Sequence, residues 1–185
     1  MDTKGSEALY LRDLLKNLGV ETLLMDLSMR YGDQVTGPGI SAALVAEAGG
    51  RSLDELSSSR NMTANMKCMV NGAVSISRRL VNDGKISGVL GIGGCTGTLM
   101  ITKVMQSLPF GLPKVMVSSA AAQPGLSNQF LKPSDIILFN SVIEIFGFSD
   151  PVRNILERAA YALQGMVRGP VVAPVIDREK AIAMT

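Results

Sequence analysis

Apolar residues follow two different periodicities along this chain, and the two alternate. Leu11, Leu15 and Leu18 recur at the spacing of one helix face, and Gly19 then provides a stop signal. Short continuous apolar runs predict buried strands at residues 20–26, 87–92, 113–118 and 135–139. Strands of this kind that alternate with helices indicate a parallel sheet covered on both faces. The pattern therefore predicts an α/β fold built on a mostly parallel sheet.

Stripes of apolar residues predict two longer helices. The first covers residues 60–82, where apolar side chains recur every three or four positions: Met62, Met66, Met69, Ala73, Ile76 and Leu80. Its methionines suit either a packed core or a helix pair at a dimer interface. The second begins at Asp150-Pro151 and ends at Gly169. A short helix is also expected after Ser52, because Glu55 completes a capping box.

Length and residue content narrow the classes of protein. The 185 residues suit one domain, and we assign residues 1–170 to it and 171–185 to a linker. Histidine is absent, which excludes Ser-His-Asp and Cys-His catalysis and histidine-ligated metals within this chain. The two cysteines, Cys68 and Cys95, are too few for a disulfide framework and are expected as free thiols in a reducing compartment.

Charge and hydropathy give no reason to expect nucleic acid or a membrane as partner. The net charge is only +2 and aromatic residues make up 4% of the chain. The uncharged stretch 86–102 is rich in glycine and flanked by Lys85 and Lys103, so it predicts a strand and a turn rather than a membrane span. No apolar signal segment follows the charged residues Asp2 and Lys4, and the expected location is the cytoplasm.

The most informative segment is a glycine-rich turn between a predicted strand and a predicted helix. Gly93 and Gly94 end the strand, and the helix follows Gly97. Backbone without Cβ atoms can approach a ligand closely, and a helix N-terminus offers unpaired N–H groups to an anion. Thr96 and Thr98 add hydroxyl groups. The turn therefore predicts a phosphate or carboxylate site, although it matches neither a dinucleotide fingerprint nor a P-loop, and a tight turn without a ligand is the alternative.

Further candidates follow the other predicted strands. Ligands of open parallel sheets bind beyond the carboxyl ends of the strands. Ser118 and Ser119 follow one strand and Asn140 and Ser141 follow another. Each pair suits either a ligand contact or a helix cap or turn. Cys95, close to the predicted helix N-terminus, suits either a nucleophile or a small residue in a tight turn.

Several motifs, taken in order, resemble the N-terminal domain of the two-domain family typified by the tomato mosaic virus resistance protein. They are Asp2-Thr3-Lys4-Gly5, Ala48-Gly49-Gly50, the Gly-Ile-Gly-Gly-Cys-Thr-Gly-Thr of residues 91–98, the strand 114–118, Ser134-Asp135-Ile136 and Asn140-Ser141-Val142. The resemblance covers residues 2–167. It implies a Rossmann-like three-layer sandwich that binds ATP, with or without Mg²⁺.

The resemblance also implies site residues. Those carried over by position are Asp2, Thr3, Lys4, Gly93, Gly94, Thr96, Gly97, Thr98, Ser118, Ser119, Ser134 and Asp135. The family has an apolar strand ahead of its Asp-Thr-Lys-Gly turn and a second domain after the first. We therefore expect a sheet that lacks its first strand, and association with a second domain or with further copies of the chain.

Three functions follow as hypotheses. The first is a nucleotide-binding domain that holds ATP phosphates on the turn formed by residues 93–98. The second is a non-catalytic interaction or oligomerisation module. The third is part of an enzyme acting on a small phosphorylated or carboxylated substrate, with Lys4, Asp2 or Asp135 as acid–base groups.

Overall fold

The computed structural model describes residues 4–30, 39–125, 127–130 and 132–169. The helices are α1 (Gly5–Asn17), α2 (Ala42–Ala48), α3 (Leu53–Ser58), α4 (Met62–Asn82), α5 (Cys95–Gln106), α6 (Ser127–Phe130) and α7 (Asp150–Arg168). The strands are β1 (Leu24–Met25), β2 (Gly39–Ile40), β3 (Val89–Gly93), β4 (Lys114–Ser118) and β5 (Ile137–Asn140). Asp2, Thr3 and the assigned linker 171–185 lie outside the described residues.

The described strands form two separate parallel sheets. β1 pairs with β2, and β3, β4 and β5 pair in that order, with Gly93 opposite Ser118 and Ser118 opposite Asn140. Helices flank the larger sheet on both faces. Val115 and Val117 pack in a cluster with α1 and α7, whereas Met116, which alternates with them, packs with Met105 of α5. The predicted α/β fold with three layers of Rossmann-like type is confirmed.

Local signals place most element ends close to the predicted positions. Ser52 and Glu55 form the expected capping box of α3. Ser149, rather than Asp150, is the N-cap of α7. The prediction for residues 20–26 was wrong in extent, because only Leu24 and Met25 form a strand there. α5 begins at Cys95, three residues before the predicted start.

The predicted stripe of the long helix is largely a core face. Met69, Ala73 and Ile76 of α4 are buried in one cluster with α2, α3 and α5, while Met62 is half-exposed. α4 approaches α2 closely at Gly72, where a Cβ atom would lie 1.9 Å from the Val45 carbonyl oxygen. The core interpretation of this helix is therefore confirmed for its middle turns. Among the described residues, no helix is both long and apolar enough to span a bilayer.

Candidate functional site

The glycine turn joins β3 to α5 at the carboxyl end of the larger sheet. β3 ends at Gly93, and α5 follows with Gly94 as its N-cap. A Cβ atom at Gly93 would lie 2.9 Å from both the Gly97 carbonyl carbon and the Thr98 nitrogen. The turn therefore needs glycine at position 93 for its own packing, whether or not a ligand binds there.

The N-terminus of α5 carries no side-chain cap. Gly94 has an extended ψ and its carbonyl oxygen accepts the first helical hydrogen bond from the Thr98 nitrogen, at 2.8 Å. Within the described chain, no side chain caps this helix start, and the exposed Thr96 is part of the first turn. A helix start of this kind presents unpaired N–H groups and the positive end of a helix dipole.

Thr98 and Ser118, both predicted as ligand contacts, lie beneath the turn rather than at its surface. Their hydroxyl oxygens are 2.7 Å apart, and both residues are fully buried. The Ser118 hydroxyl also accepts a hydrogen bond from the Ala120 nitrogen at 3.1 Å. In this arrangement the two hydroxyls tie β4 to α5 and do not reach a ligand above the turn.

Three side chains meet above the turn. The Lys4 ammonium donates to Glu144 Oε1 at 3.0 Å and also to the Ile145 carbonyl oxygen. The Ser119 hydroxyl donates to Glu144 Oε2 at 3.1 Å. The hydrogen bond from Lys4, joined by that from Ser119, holds the pKa of the Glu144 carboxyl below its ordinary value. This group, Lys4, Ser119 and Glu144, is the mouth cluster.

The mouth cluster lies directly beside the glycine turn. A Cβ atom built on Gly94 would be 3.7 Å from Ser119 Oγ and 4.0 Å from Glu144 Oε1. A carboxylate therefore lies close to the uncapped start of α5, in contact with a lysine and a serine. This is the position where the sequence predicts an anion.

Asn140 and Ser141 shape the loop that carries Glu144. The Asn140 side-chain oxygen accepts from the Val142 nitrogen at 3.1 Å, and the Ser141 hydroxyl donates to the Ile143 carbonyl oxygen at 2.5 Å. Val142 has a φ of 64°, a left-handed conformation that is unusual for a β-branched residue. Both predicted residues thus have turn-forming roles in this structure and position the loop beside the mouth.

Ser134 and Asp135 lie at the opposite end of the sheet, which corrects their expected place in the ligand site. Asp135 accepts hydrogen bonds from the Lys114 ammonium at 2.6 Å and from the Gly111 nitrogen at 2.7 Å. Lys114 is the first residue of β4 and is buried, so this pair marks the amino edge. Burial raises the pKa of Asp135, but the hydrogen bonds from Lys114 and Gly111 outweigh it and hold the pKa below its ordinary value.

A cavity of about 880 Å³ lies beside Lys4 and the glycine turn and continues along β3. The predicted residues that line it are Lys4, Gly93, Gly94, Thr96 and Gly97. Its deeper walls are mostly aliphatic side chains from the flanking helices. Among the described residues, no cluster of three or more Cys, Asp or Glu side chains offers a metal site.

Glu144 is the residue of this site that reasoning from the sequence missed. It is the one charged residue in the apolar run 142–146, and it lies in the loop after the strand that ends at Asn140. A lone carboxylate beyond the carboxyl end of a predicted parallel strand is a signal that could have identified it.

Comparison with known proteins finds a matching family model and several similar bacterial proteins. Residues 1–171 match the model described as "Uncharacterised protein family (UPF0261) N-terminal domain". A UPF0261 protein of Clostridium tetani is 35% identical over 182 residues, which are 98% of this chain and 44% of that protein. A UPF0261 protein of Mesorhizobium japonicum is 34% identical over 186 residues, with coverage of 100% and 44%. The chain thus spans less than half the length of these curated relatives.

A partial match also links the chain to a plant protein. The ToMV resistance protein Tm-1(GCR237) of Solanum lycopersicum is 38% identical over 84 residues, which are 45% of this chain and 11% of that protein. The resemblance drawn from the motifs is confirmed at the level of the family. ATP binding, which that resemblance also implied, stays a prediction.

Proposed function

We propose that this chain, which belongs to the family UPF0261 and corresponds to the N-terminal domain of that family, is a nucleotide-binding domain. Its ligand is ATP, and the phosphates lie against the first turn of α5. The choice of ATP over other phosphate-bearing ligands comes from the resemblance described above. The geometry of the glycine turn and of the mouth cluster supports the proposed position of the phosphates.

One observation carries the proposal: a carboxylate of the chain itself already lies where the phosphate would bind. Glu144 accepts hydrogen bonds from Lys4 at 3.0 Å and from Ser119 at 3.1 Å, beside the uncapped Gly94. Hydrogen bonds to a charged acceptor are stronger than those between neutral groups. The same donors, together with the N–H groups of α5, suit a phosphate oxygen.

Binding of a phosphate requires Glu144 to leave. Two anions repel each other at this spacing, and Lys4 cannot neutralise both. The Glu144 side chain is 68% exposed, so it can rotate into solvent at small cost, while Lys4 is only 16% exposed and stays in place. We therefore expect a phosphate group to replace the Glu144 carboxylate as the hydrogen-bond partner of Lys4 and Ser119, which stay in place.

A calorimetric titration with ATP, with and without Mg²⁺, tests the proposal. We expect a Kd in the micromolar range, about −8 kcal/mol. In Gly94→Val, the new Cβ has ordinary contacts and the backbone is in the extended region, so the chain should fold, but its methyl groups would fill the phosphate position. Loss of binding in this variant supports the site, whereas unchanged affinity refutes it.

A control substitution separates the specific site from general charge. Lys103 is an exposed lysine on the same helix, α5, away from the mouth. Lys103→Met removes one positive charge, as Lys4→Met does. We expect Lys103→Met to bind ATP with nearly the affinity of the unmodified chain, and Lys4→Met to bind much more weakly.

A further inference from the structure

The loop after β5 carries an exposed aromatic ring beside the mouth cluster. Phe146 is 81% exposed, whereas Ile145, the residue before it, is buried. An exposed phenylalanine forgoes the free energy that burial of its ring would supply. A single exposed apolar side chain is common on protein surfaces, so exposure alone does not indicate a binding role. The way in which the backbone of Phe146 is held, and the groups next to it, give a more specific indication.

Hydrogen bonds to α1 and to the residue before it fix the backbone on both sides of Phe146. The Ile145 carbonyl oxygen accepts from the Lys4 ammonium. The Gly147 nitrogen donates to Glu7 Oε1 at 2.7 Å, and Glu7 is itself buried. Because the backbone is already ordered, a ligand that packs on the ring restricts only the rotation of one side chain.

Lys4 links the ring to the proposed phosphate position. An ammonium group has three N–H donors, and Lys4 uses them on Glu144 Oε1 and on the Ile145 carbonyl oxygen. When a phosphate replaces the Glu144 carboxylate, the bond from Lys4 to Ile145 can persist. The same lysine would then hold the phosphate and the backbone next to Phe146, so the ring would stay beside the bound phosphate.

The alternation of exposure along this loop indicates which way Phe146 faces. The Glu144 side chain is exposed, Ile145 is buried and Phe146 is exposed. This alternation is typical of extended chain, in which residues two positions apart face the same side. Phe146 is therefore expected on the side of Glu144. Glu144 Oε1 would lie 4.0 Å from a Cβ atom built on Gly94, so this is also the side of the glycine turn.

A second exposed phenylalanine is held by the same pattern of bonds at the opposite edge of the sheet. Phe110 is 69% exposed. The carbonyl oxygen before it, that of Pro109, accepts from the Lys114 ammonium at 2.7 Å. The nitrogen after it, that of Gly111, donates to Asp135 Oδ2 at 2.7 Å. Phe110 therefore matches Phe146 in exposure and in local structure.

The two rings differ in the lysine beside them. Lys114 is buried and paired with Asp135, so an anion from solvent does not reach its ammonium group. Lys4 pairs with the exposed carboxylate of Glu144, next to the uncapped start of α5. Of the two rings, Phe146 is the one with a proposed phosphate position beside it, and Phe110 is its matched control.

From these observations we propose that Phe146 is the stacking surface for the base of the bound nucleotide. This inference rests on the proposed function, because it takes the phosphates to lie against the first turn of α5. The phosphates bind Lys4 and Ser119, and the base lies with its face against the Phe146 ring. Stacking uses the π-face that every base has, so the ring favours a nucleotide over a bare polyphosphate without selecting one base.

Calorimetric titrations with ATP and with inorganic tripolyphosphate test the proposal. Tripolyphosphate supplies the phosphates without the base. We expect Phe146→Ala to weaken ATP binding about fivefold or more, as loss of an aromatic stacking partner does, and to leave tripolyphosphate binding unchanged. Phe110→Ala should change neither affinity. Both side chains are exposed, so both variants should fold.

Tryptophan substitution gives an independent readout, because the chain contains no tryptophan. In Phe146→Trp the single indole would stack on the base. We expect ATP to change its fluorescence in a saturable way and tripolyphosphate to leave it unchanged. Phe110→Trp, with its indole at the opposite edge, should respond to neither ligand.

Two results would overturn the stacking role and leave the nucleotide site in place. The first is equal ATP affinity in Phe146→Ala and the unmodified chain, which would mean that the base lies elsewhere, such as in the aliphatic cavity along β3. The second is an equal loss of ATP and tripolyphosphate binding in Phe146→Ala, which would mean that the ring supports the phosphate position itself. Absence of binding of both ligands to the unmodified chain would instead refute the proposed function, and this inference with it.

Discussion

The Lys4 ammonium and the Glu144 carboxylate lie 3.0 Å apart although 140 positions separate them in the chain. The contact joins the start of α1 to the loop after β5, above the turn that opens α5. It therefore brings together the three parts of the fold that a phosphate at this position would touch. The Glu144 carboxylate thereby occupies the proposed phosphate position, because it uses the donors that the proposed ligand needs.

Removal of the negative charge at this contact should strengthen anion binding. Glu144→Gln keeps the size of the side chain but no longer competes as an anion for Lys4. Because exposed ion pairs are worth up to about 1 kcal/mol, we expect affinity for ATP to rise by up to about fivefold. Isothermal calorimetry on both proteins measures the change. Weaker binding in Glu144→Gln would show that the carboxylate assists the ligand, for example through a metal ion, rather than opposing it.

The buried pair at the amino edge should matter for stability and not for the ligand. Asp135→Ala leaves the Lys114 ammonium, which is 1% exposed, without its carboxylate partner. Breaking a buried pair in this way costs about 3 kcal/mol or more, which urea denaturation can measure. Asp13→Ala is the matched control, because it breaks the exposed pair with Arg12, and we expect little change there. An unchanged free energy of unfolding in Asp135→Ala would contradict the stabilising role of the pair formed by Lys114 and Asp135.

The same pair predicts a dependence of stability on pH. The folded-state pKa of Asp135 is lowered, so its contribution to stability is fully present above the unfolded pKa of about 3.9 and is lost as the pH falls through the folded pKa. The free energy of unfolding should therefore decrease as the pH is lowered from about 5 to about 3. Asp135→Asn should show a shallower decrease in the same urea titrations. An identical slope in both proteins would assign the acid sensitivity to other carboxyl groups.

Two glycines inside long helices should respond in opposite ways to alanine. Gly165→Ala in α7 places a methyl group in open space and should stabilise the protein by up to about 1 kcal/mol, the difference in helix propensity. Gly72→Ala in α4 places it 1.9 Å from the Val45 carbonyl oxygen, so α2 and α4 must move apart and stability should fall. Thermal melts of the two variants measure both effects. Equal shifts in Tm would mean that the close crossing of α2 and α4 is not maintained.

The fold was predictable because its signals are local. The capping box of Ser52 and Glu55, the stripe along α4 and the apolar runs of β3 and β4 each depend on neighbours in sequence. The extent of β1 was harder to predict, because an apolar run does not show how many of its residues pair with a neighbouring strand. Only Leu24 and Met25 pair with β2.

The candidate site was predictable in outline but not in detail. Strand order and direction put Gly94 and Ser119 at one edge, as parallel topology requires. Asp135 precedes its strand and so lies at the other edge, which the direction of the strand alone would have indicated. Whether the Thr98 hydroxyl points outward or toward Ser118 depends on the rotation of α5, and this is decided by packing rather than by local sequence.

The most direct test of the central claim is an NMR titration of the isotope-labelled chain with ATP, followed at the backbone amides. If the phosphates lie on the first turn of α5, the resonances of Cys95, Thr96 and Gly97 should shift in a saturable way. Those of Gly111 and Asp135, at the opposite edge, should not. Saturable shifts elsewhere without any at Cys95, Thr96 and Gly97, or no shifts at all in a chain that is folded, would contradict the account.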